Sequence, residues 1–104
     1  MDSLKIEFID KKRQKSEYDW ANLSFNDNRV GKVRCLIKND TLIIYSINVF
    51  PEFEGHGYAK TFVNEAKKKY KTIFANKVRY TARGFWEKVG FVPYDDDNWI
   101  YKSE

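Results

Sequence analysis

The sequence predicts an α+β (α/β-like) fold, on three observations. Apolar and polar residues alternate through most of the first 50 positions, as in half-buried strands. After Pro51 the apolar spacing turns helical. Two short strand-like runs close the chain around an Asp-rich turn. Several strands, a helix, a strand, a helix and two strands follow one another, the order of a sheet flanked by helices.

"LKIEFID" sets Leu4, Ile6 and Phe8 between charged neighbours and reads as the first strand. "KKRQKSE", residues 11–17, is a charge run expected as a solvated loop or helical turn. A strand is expected through "ANLSF", and "RVGKVRCLIK" alternates again. Asn39-Asp40 makes a turn into "TLIIYSINVF", whose nearly unbroken apolarity predicts a central strand covered on both faces. Ala59, Phe62, Val63, Ala66 and Tyr70 then fall on one helical stripe, with Lys60, Asn64, Lys67, Lys68 and Lys71 expected on the solvent side. "TIFANKV" reads as a short strand. "TARGFWEKVG" reads as a helix closed by Gly90, and "FVPY", "DDDN" and "WIYK" as a hairpin.

A chain of 104 residues fits one domain, 1–104, with a core of its own. Nineteen Lys and Arg against 15 acids give a net charge of +4, a balance that suits an anionic ligand without demanding nucleic acid. The lysines of "KKRQK" and "KKKYK" lie at solvent-facing positions, the commoner use of such runs, and a nucleic-acid-binding domain is the third-ranked reading. Cys35 is the only cysteine, which excludes an internal disulfide and points to a reducing, cytoplasmic setting. Within "KVRCLIK" it reads as a buried structural thiol. No signal-like N-terminus, membrane-length apolar run, repeat or linker is found in the sequence, so a membrane role and processing are not expected. No metal is expected either.

The informative stretch is "PEFEGHGYAKTFV", residues 51–63, where Gly55 and Gly57 precede a helix. A helix N-terminus leaves about four backbone N–H groups unpaired, and its dipole adds positive character there. Glycines let a phosphate approach those amides directly. The loop also follows the most apolar strand, where ligands of open sheets gather at carboxyl ends. A tight turn explains two glycines equally well.

Taken with "ARGFWEKVGF", residues 82–91, the stretch "VFPEFEGHGYA" resembles the GNAT superfamily of acyl-CoA-dependent N-acyltransferases. Pro51, Glu52, Gly55, Gly57 and Ala59 match the family's cofactor loop, Pro-Glu-x-Arg-Gly-x-Gly-x-Gly/Ala, with Glu54 where Arg is usual. Ala82, Arg83, Phe85, Glu87, Lys88, Gly90 and Phe91 match its C-terminal motif, with Arg79 for Asn and Trp86 for Tyr. The resemblance covers roughly residues 30–104. It implies a mixed, mostly antiparallel central sheet flanked by helices, and acetyl-CoA as co-substrate.

By the same resemblance, the strand around Ile47 and Val49 would hydrogen-bond the pantetheine arm. The amides of Glu54, Gly55, His56, Gly57, Tyr58 and Ala59 would hold the pyrophosphate. Arg83 would lie near the cofactor with Phe85 beside it, and Lys60, His56 or Arg83 would offset the charge of Glu54. The stretch before residue 25 is short for the two helices that usually wall the acceptor pocket. The acceptor side is therefore expected to be open, or completed by another subunit in a homodimer.

The chemistry implied is direct transfer of an acetyl group to an amine, small or on a peptide. Trp86 stands where the family's acid is usual, and an indole N–H does not give up its proton near neutral pH. Tyr80 is a substitute and Tyr94 another, although a tyrosine beside a helix is usually packing. Tyr45, Ser46 and Asn48 are binding candidates, and no general base stands out. Cys35, in a core-like strand without a neighbouring base, argues against a covalent acetyl-cysteine route. The second reading is a catalytically silent acyl-CoA-binding module.

Overall fold

The structure is a computed structural model and describes residues 3–13 and 15–103. Its strands and helices follow in the order Lys5–Ile9 (β1), Asp19–Phe25 (β2), Asn28–Lys38 (β3), Thr41–Val49 (β4), Tyr58–Lys69 (α1), Thr72–Ala75 (β5), Arg83–Lys88 (α2), Val92–Pro93 (β6) and Trp99–Lys102 (β7). The strands form one seven-stranded sheet in the order β1-β2-β3-β4-β5-β7-β6. Every pairing is antiparallel except β4 with β5. A parallel pair needs a crossover, and α1 supplies it.

Cross-strand pairs share a face, so the register identifies the two sides of the sheet. Phe8, Ala21, Val33 and Ile47 pair in succession across β1 to β4. Phe62 of α1 meets Phe8 with ring centres 6.2 Å apart, which places α1 on that side. Its apolar stripe of Phe62, Val63 and Ala66 is buried there, as the helical spacing predicts. Phe91, following α2, lies 4.8 Å from Trp86 and 5.8 Å from Tyr101, a residue of the same face through its pairing with Ile73. Both helices therefore pack on one side. The other face carries Ile9, Trp20, Arg34 and Ser46.

That one-sidedness corrects the expectation for β4. Leu42 and Ile44 are buried, but Ser46 and Asn48 are exposed. The strand reads as nearly unbroken apolar because a register shift opposite Arg34 and Cys35 leaves Tyr45 as an extra residue and re-aims the alternation. The first turn after β1 is a short 3-10 turn at Lys11–Arg13, within the expected loop; Gln14 lies outside the described residues. Buried Asp19 anchors this connection, its carboxylate accepting the Lys11 and Ile37 amides at 2.8 Å each.

Three further boundaries differ from the sequence reading. β2 begins at Asp19, ahead of "ANLSF", and β5 ends at Ala75 rather than Val78. The second helix starts at Arg83 after a 3-10 turn at Tyr80–Ala82, Gly84 being a poor helix former in so short an element. Its end is as predicted. The Gly90 amide donates to Glu87 O at 3.1 Å and the Phe91 amide to Trp86 O at 3.0 Å, with Trp86 against Phe91. This is the glycine-capped close of a Schellman motif and fixes the Trp86 side chain from behind.

The lysine face of α1 is also more engaged than expected. Lys67 donates to the Val89 carbonyl and lies 4.7 Å from the Tyr101 ring centre, and Lys69 stands 4.7 Å over Phe8. Lys68 and Lys69 are both exposed, as expected, and Lys68 pairs with Glu65 at 3.1 Å. The long stems let these amines reach past the stripe onto aromatic faces. Lys67→Gln is accordingly expected to destabilise the protein by about 1–2 kcal/mol, from one charged hydrogen bond and one cation–π contact. Lys68→Gln stays within about 0.5 kcal/mol. Urea unfolding of both variants checks the contrast.

Candidate functional site

β4 outlasts its neighbour. Pairing with β5 ends at Ile44 opposite Ala75, and the Asn76 amide still reaches Ile44 O at 2.9 Å, but residues 45–49 have no strand on that side. The Phe50 amide donates to Val30 O at 2.8 Å, so Phe50 faces β3. By strand alternation Asn48 does too, and the N–H and C=O of Ile47 and Val49 point to the open edge. The gap between β4 and the chain after β5 widens into a cleft of about 920 Å³. It runs from Ala59 at the start of α1, past Ile47 and Asn76–Arg79, to Phe85 and Trp86, and on to Arg34, Tyr18 and Tyr45.

The glycine loop leads into α1, whose Ala59 lines one end of this cleft. Gly55 and Gly57 have φ of +87° and +76°, and Gly57 is the N-cap of α1. A left-handed residue there turns the chain into the helix without a side-chain cap. Thr61 donates to Gly57 O at 2.9 Å as the first helical bond, leaving the amides of Tyr58, Ala59 and Lys60 without intrahelical partners. Glu54, Gly55, His56 and Gly57 are all exposed. A pyrophosphate fits this cradle, and an extended amide chain fits the edge at Ile47 and Val49.

Side chains of the loop divide. Ala59 lines the cleft, whereas His56 packs 5.5 Å from Tyr58 and both line a separate hollow with Phe25. Lys60 is exposed and outside the cleft lining. Arg83 is also outside it, 3.7 Å from the Asp97 carboxylate and 5.2 Å over Tyr80. Tyr80 is 81% exposed, and Tyr94 rests on Phe74 at 5.6 Å, so neither phenol stands in the cleft. Phe85 and Trp86 both line it, Trp86 with only 7% of its surface exposed.

Arg34, Tyr18 and the loop 76–79 escaped the sequence reading. Alternation through "KVRCLIK" does set Arg34 opposite in phase to Val33 and Cys35, the one signal that finds it. Arg34, Lys77 and Arg79 make the cleft cationic, and no Asp, Glu or His lines it among the described residues. No cluster of metal-ligating side chains occurs among the described residues.

Cys35 is fully buried, and burial, with the Asp19 charge adding to it, pushes its thiol up from 9.0 to about 12. A neutral buried thiol is no nucleophile at physiological pH. A raised acid pKa stabilises the fold below the unfolded value, and that contribution is lost as pH climbs from about 9 to about 12. Stability should thus fall across that range, and Cys35→Ala should flatten the fall, read by urea midpoints at successive pH values.

Comparisons with known proteins place this geometry in context. The pattern of the acetyltransferase (GNAT) family matches residues 1–91. An uncharacterised N-acetyltransferase of Bacillus cereus is 32% identical over 90 residues, 81% of this chain and 55% of that protein. One from Oceanobacillus iheyensis is 38% identical over 53 residues, 51% of this chain and 32% of that protein. The chain thus spans less than two thirds of either relative. Among solved structures, an N-acetyltransferase of Bacillus subtilis in complex with coenzyme A aligns over 99% of this chain and 97% of its own, with a TM-score of 0.70 at 19% identity. At that identity the likeness speaks for the fold.

Proposed function

The chain belongs to the acetyltransferase (GNAT) family, and on that premise we propose that it is a single-domain N-acetyltransferase moving an acetyl group directly from acetyl-CoA to an amine. The observation that carries the reading is the continuity of the cleft: it joins the open amides at the start of α1 to the unpaired edge of β4. Of the expected amides 54–59, that of Glu54 drops out because it donates to Pro51 O at 3.3 Å; those of residues 55–59, with Lys60 added, would hold the pyrophosphate, and the backbone of Ile47 and Val49 the pantetheine arm. Acetyl-CoA supplies the activated thioester.

Two properties of the cleft stand in for dedicated acid and base. Three cations favour the neutral form of an incoming amine, because a like charge nearby disfavours the ammonium. Trp86 walls the pocket, and positioning two reactants there is worth several kcal/mol. A cytoplasmic location fits the single unpaired cysteine, and no helix among the described residues is long and apolar enough to cross a membrane. The bare face beside Arg34 leaves the acceptor side open, or completed by a second copy of the chain.

Trp86 also supports a second reading, an acyl-CoA-binding module without turnover, since neither Tyr80 nor Tyr94, the expected substitutes, lines the cleft. Single-turnover acetyl transfer over a panel of amines, with acetyl-CoA affinity measured alongside, separates the two. For an active enzyme, Trp86→Phe keeps acetyl-CoA binding and loses little turnover, because the ring acts as a wall. Trp86→Tyr offers a transferable proton and gains by less than the ~10²–10⁴ of a well-placed acid. Undetectable transfer with intact binding favours the module. Loss of transfer in Trp86→Phe alone would give the indole N–H a chemical role.

A further inference from the structure

Arg34 lies at the end of the cleft away from the glycine loop. Its pairing with Trp20 and Ser46 puts it on the sheet face opposite α1. Its guanidinium carbon stands 5.0 Å over the Tyr18 ring, and Tyr18 meets Tyr45 edge-on at 5.2 Å. Its Nε is buried and has no hydrogen-bond partner. Neither of the two ion pairs among the described residues involves it. Arg34 is half-buried, lines the cleft and has no carboxylate partner among the described residues, so the accessible part of its guanidinium is left to water or to a ligand oxygen.

We propose that Arg34 binds the acceptor, and that the amine acetylated by this protein carries a carboxylate held by the Arg34 guanidinium. The proposal rests on the transferase reading above and names its substrate class. The cofactor's phosphates do not account for Arg34, since the amides that suit them open at the α1 end, on the other side of the sheet. A guanidinium presents its donors as a planar fork matching the two oxygens of a carboxylate. Tyr18 stacks against that plane, with Tyr45 edge-on to Tyr18, and holds it in place, which lowers the ordering cost of binding. The cleft's other charges reinforce the selection: Lys77 and Arg79 line it and no carboxylate does among the described residues. Diamines, polyamines and lysine-rich peptides are repelled by such a lining.

The test compares matched acceptors in the unmodified protein at saturating acetyl-CoA: free amino acids, their carboxamides, the corresponding decarboxylated amines and aminoalkyl phosphates. Free acids should be acetylated with kcat/KM at least tenfold above their carboxamides. In Arg34→Gln the acid should lose tenfold or more, closing that gap. A binding arm needs no turnover: N-acetylated amino acids titrated into CoA-loaded protein should bind, about tenfold more weakly in Arg34→Gln. Carboxamides, polyamines or aminoalkyl phosphates taken in preference to acids would overturn the proposal. So would an Arg34→Gln loss equal for acids and carboxamides, or no binding by any N-acetylated amino acid. Acetyl-CoA affinity, measured separately, distinguishes the failures: without it the transferase reading falls, and with it only the choice of acceptor does.

Discussion

Acetyl-CoA is expected to stabilise the unmodified protein and Gly57→Val to abolish that gain, whereas Gly57→Asn separates the two reasons for having a glycine there. At ligand a hundredfold above its dissociation constant, linkage gives the unmodified protein about 2.7 kcal/mol, visible as a rise in Tm. Valine at φ +76° carries a β-branched side chain into left-handed backbone, a strain of about 1–2 kcal/mol that distorts the turn into α1. Asparagine tolerates that backbone. A Cβ at Gly57 meets no protein atom within 4 Å beyond its chain neighbours, so the space it enters is open to solvent or ligand. Asn should therefore recover most of the fold's stability while leaving acetyl-CoA affinity at least tenfold weak. Full recovery of both would mean that the glycine serves only the turn and that no phosphate comes close.

Most of the architecture is legible in local pattern. The alternation of Leu4, Ile6 and Phe8, the helical stripe of Phe62, Val63 and Ala66, and Gly90 after a short helix each reflect one dominant constraint, and each element stands where its pattern predicts. The order of elements was enough for the fold class. The glycine loop was legible as well, since left-handed backbone ahead of a helix is written in residue type.

What escaped the sequence depends on contacts between distant segments. A nearly unbroken apolar run at β4 looks like a strand covered on both faces. Here an extra residue at Tyr45 shifts the alternation midway, and only the pairing with β3 reveals it. Lys67 looks like a solvent lysine until the chain after α2 brings the Val89 carbonyl and Tyr101 within its reach. Arg83 sits in a motif yet spends its charge near Asp97, fourteen positions on, while Arg34 sits in no motif and lines the cleft. Side-chain charge alone does not tell which partner a fold will supply.

The largest effect on stability is expected at Gly31, where two strands approach too closely for any side chain. A Cβ there would stand 2.6 Å from the Asn48 carbonyl oxygen and 3.2 Å from Val49 Cα. Both obstacles are backbone, so no rotamer change relieves the clash, and β3 must separate from β4 or slip. Gly31→Ala should cost about 1–3 kcal/mol, the range for overpacking a tight site, and Gly31→Val more. The site is coupled to function by the chain that follows. Val49 pairs with Gly31, the next residue bonds to Val30 O, and Pro51 then leads into the glycine loop. Displacing that end of β4 moves both the open edge and the loop, so acetyl-CoA affinity should fall along with stability. Gly84→Ala is the control: a Cβ there meets nothing within 4 Å, and better helix propensity should leave stability unchanged or raised by up to about 1 kcal/mol. Denaturant midpoints and acetyl-CoA titrations of the three variants provide the readout. An unchanged midpoint in Gly31→Ala would mean that the strands part there at no cost, and that the cleft's geometry does not depend on their contact.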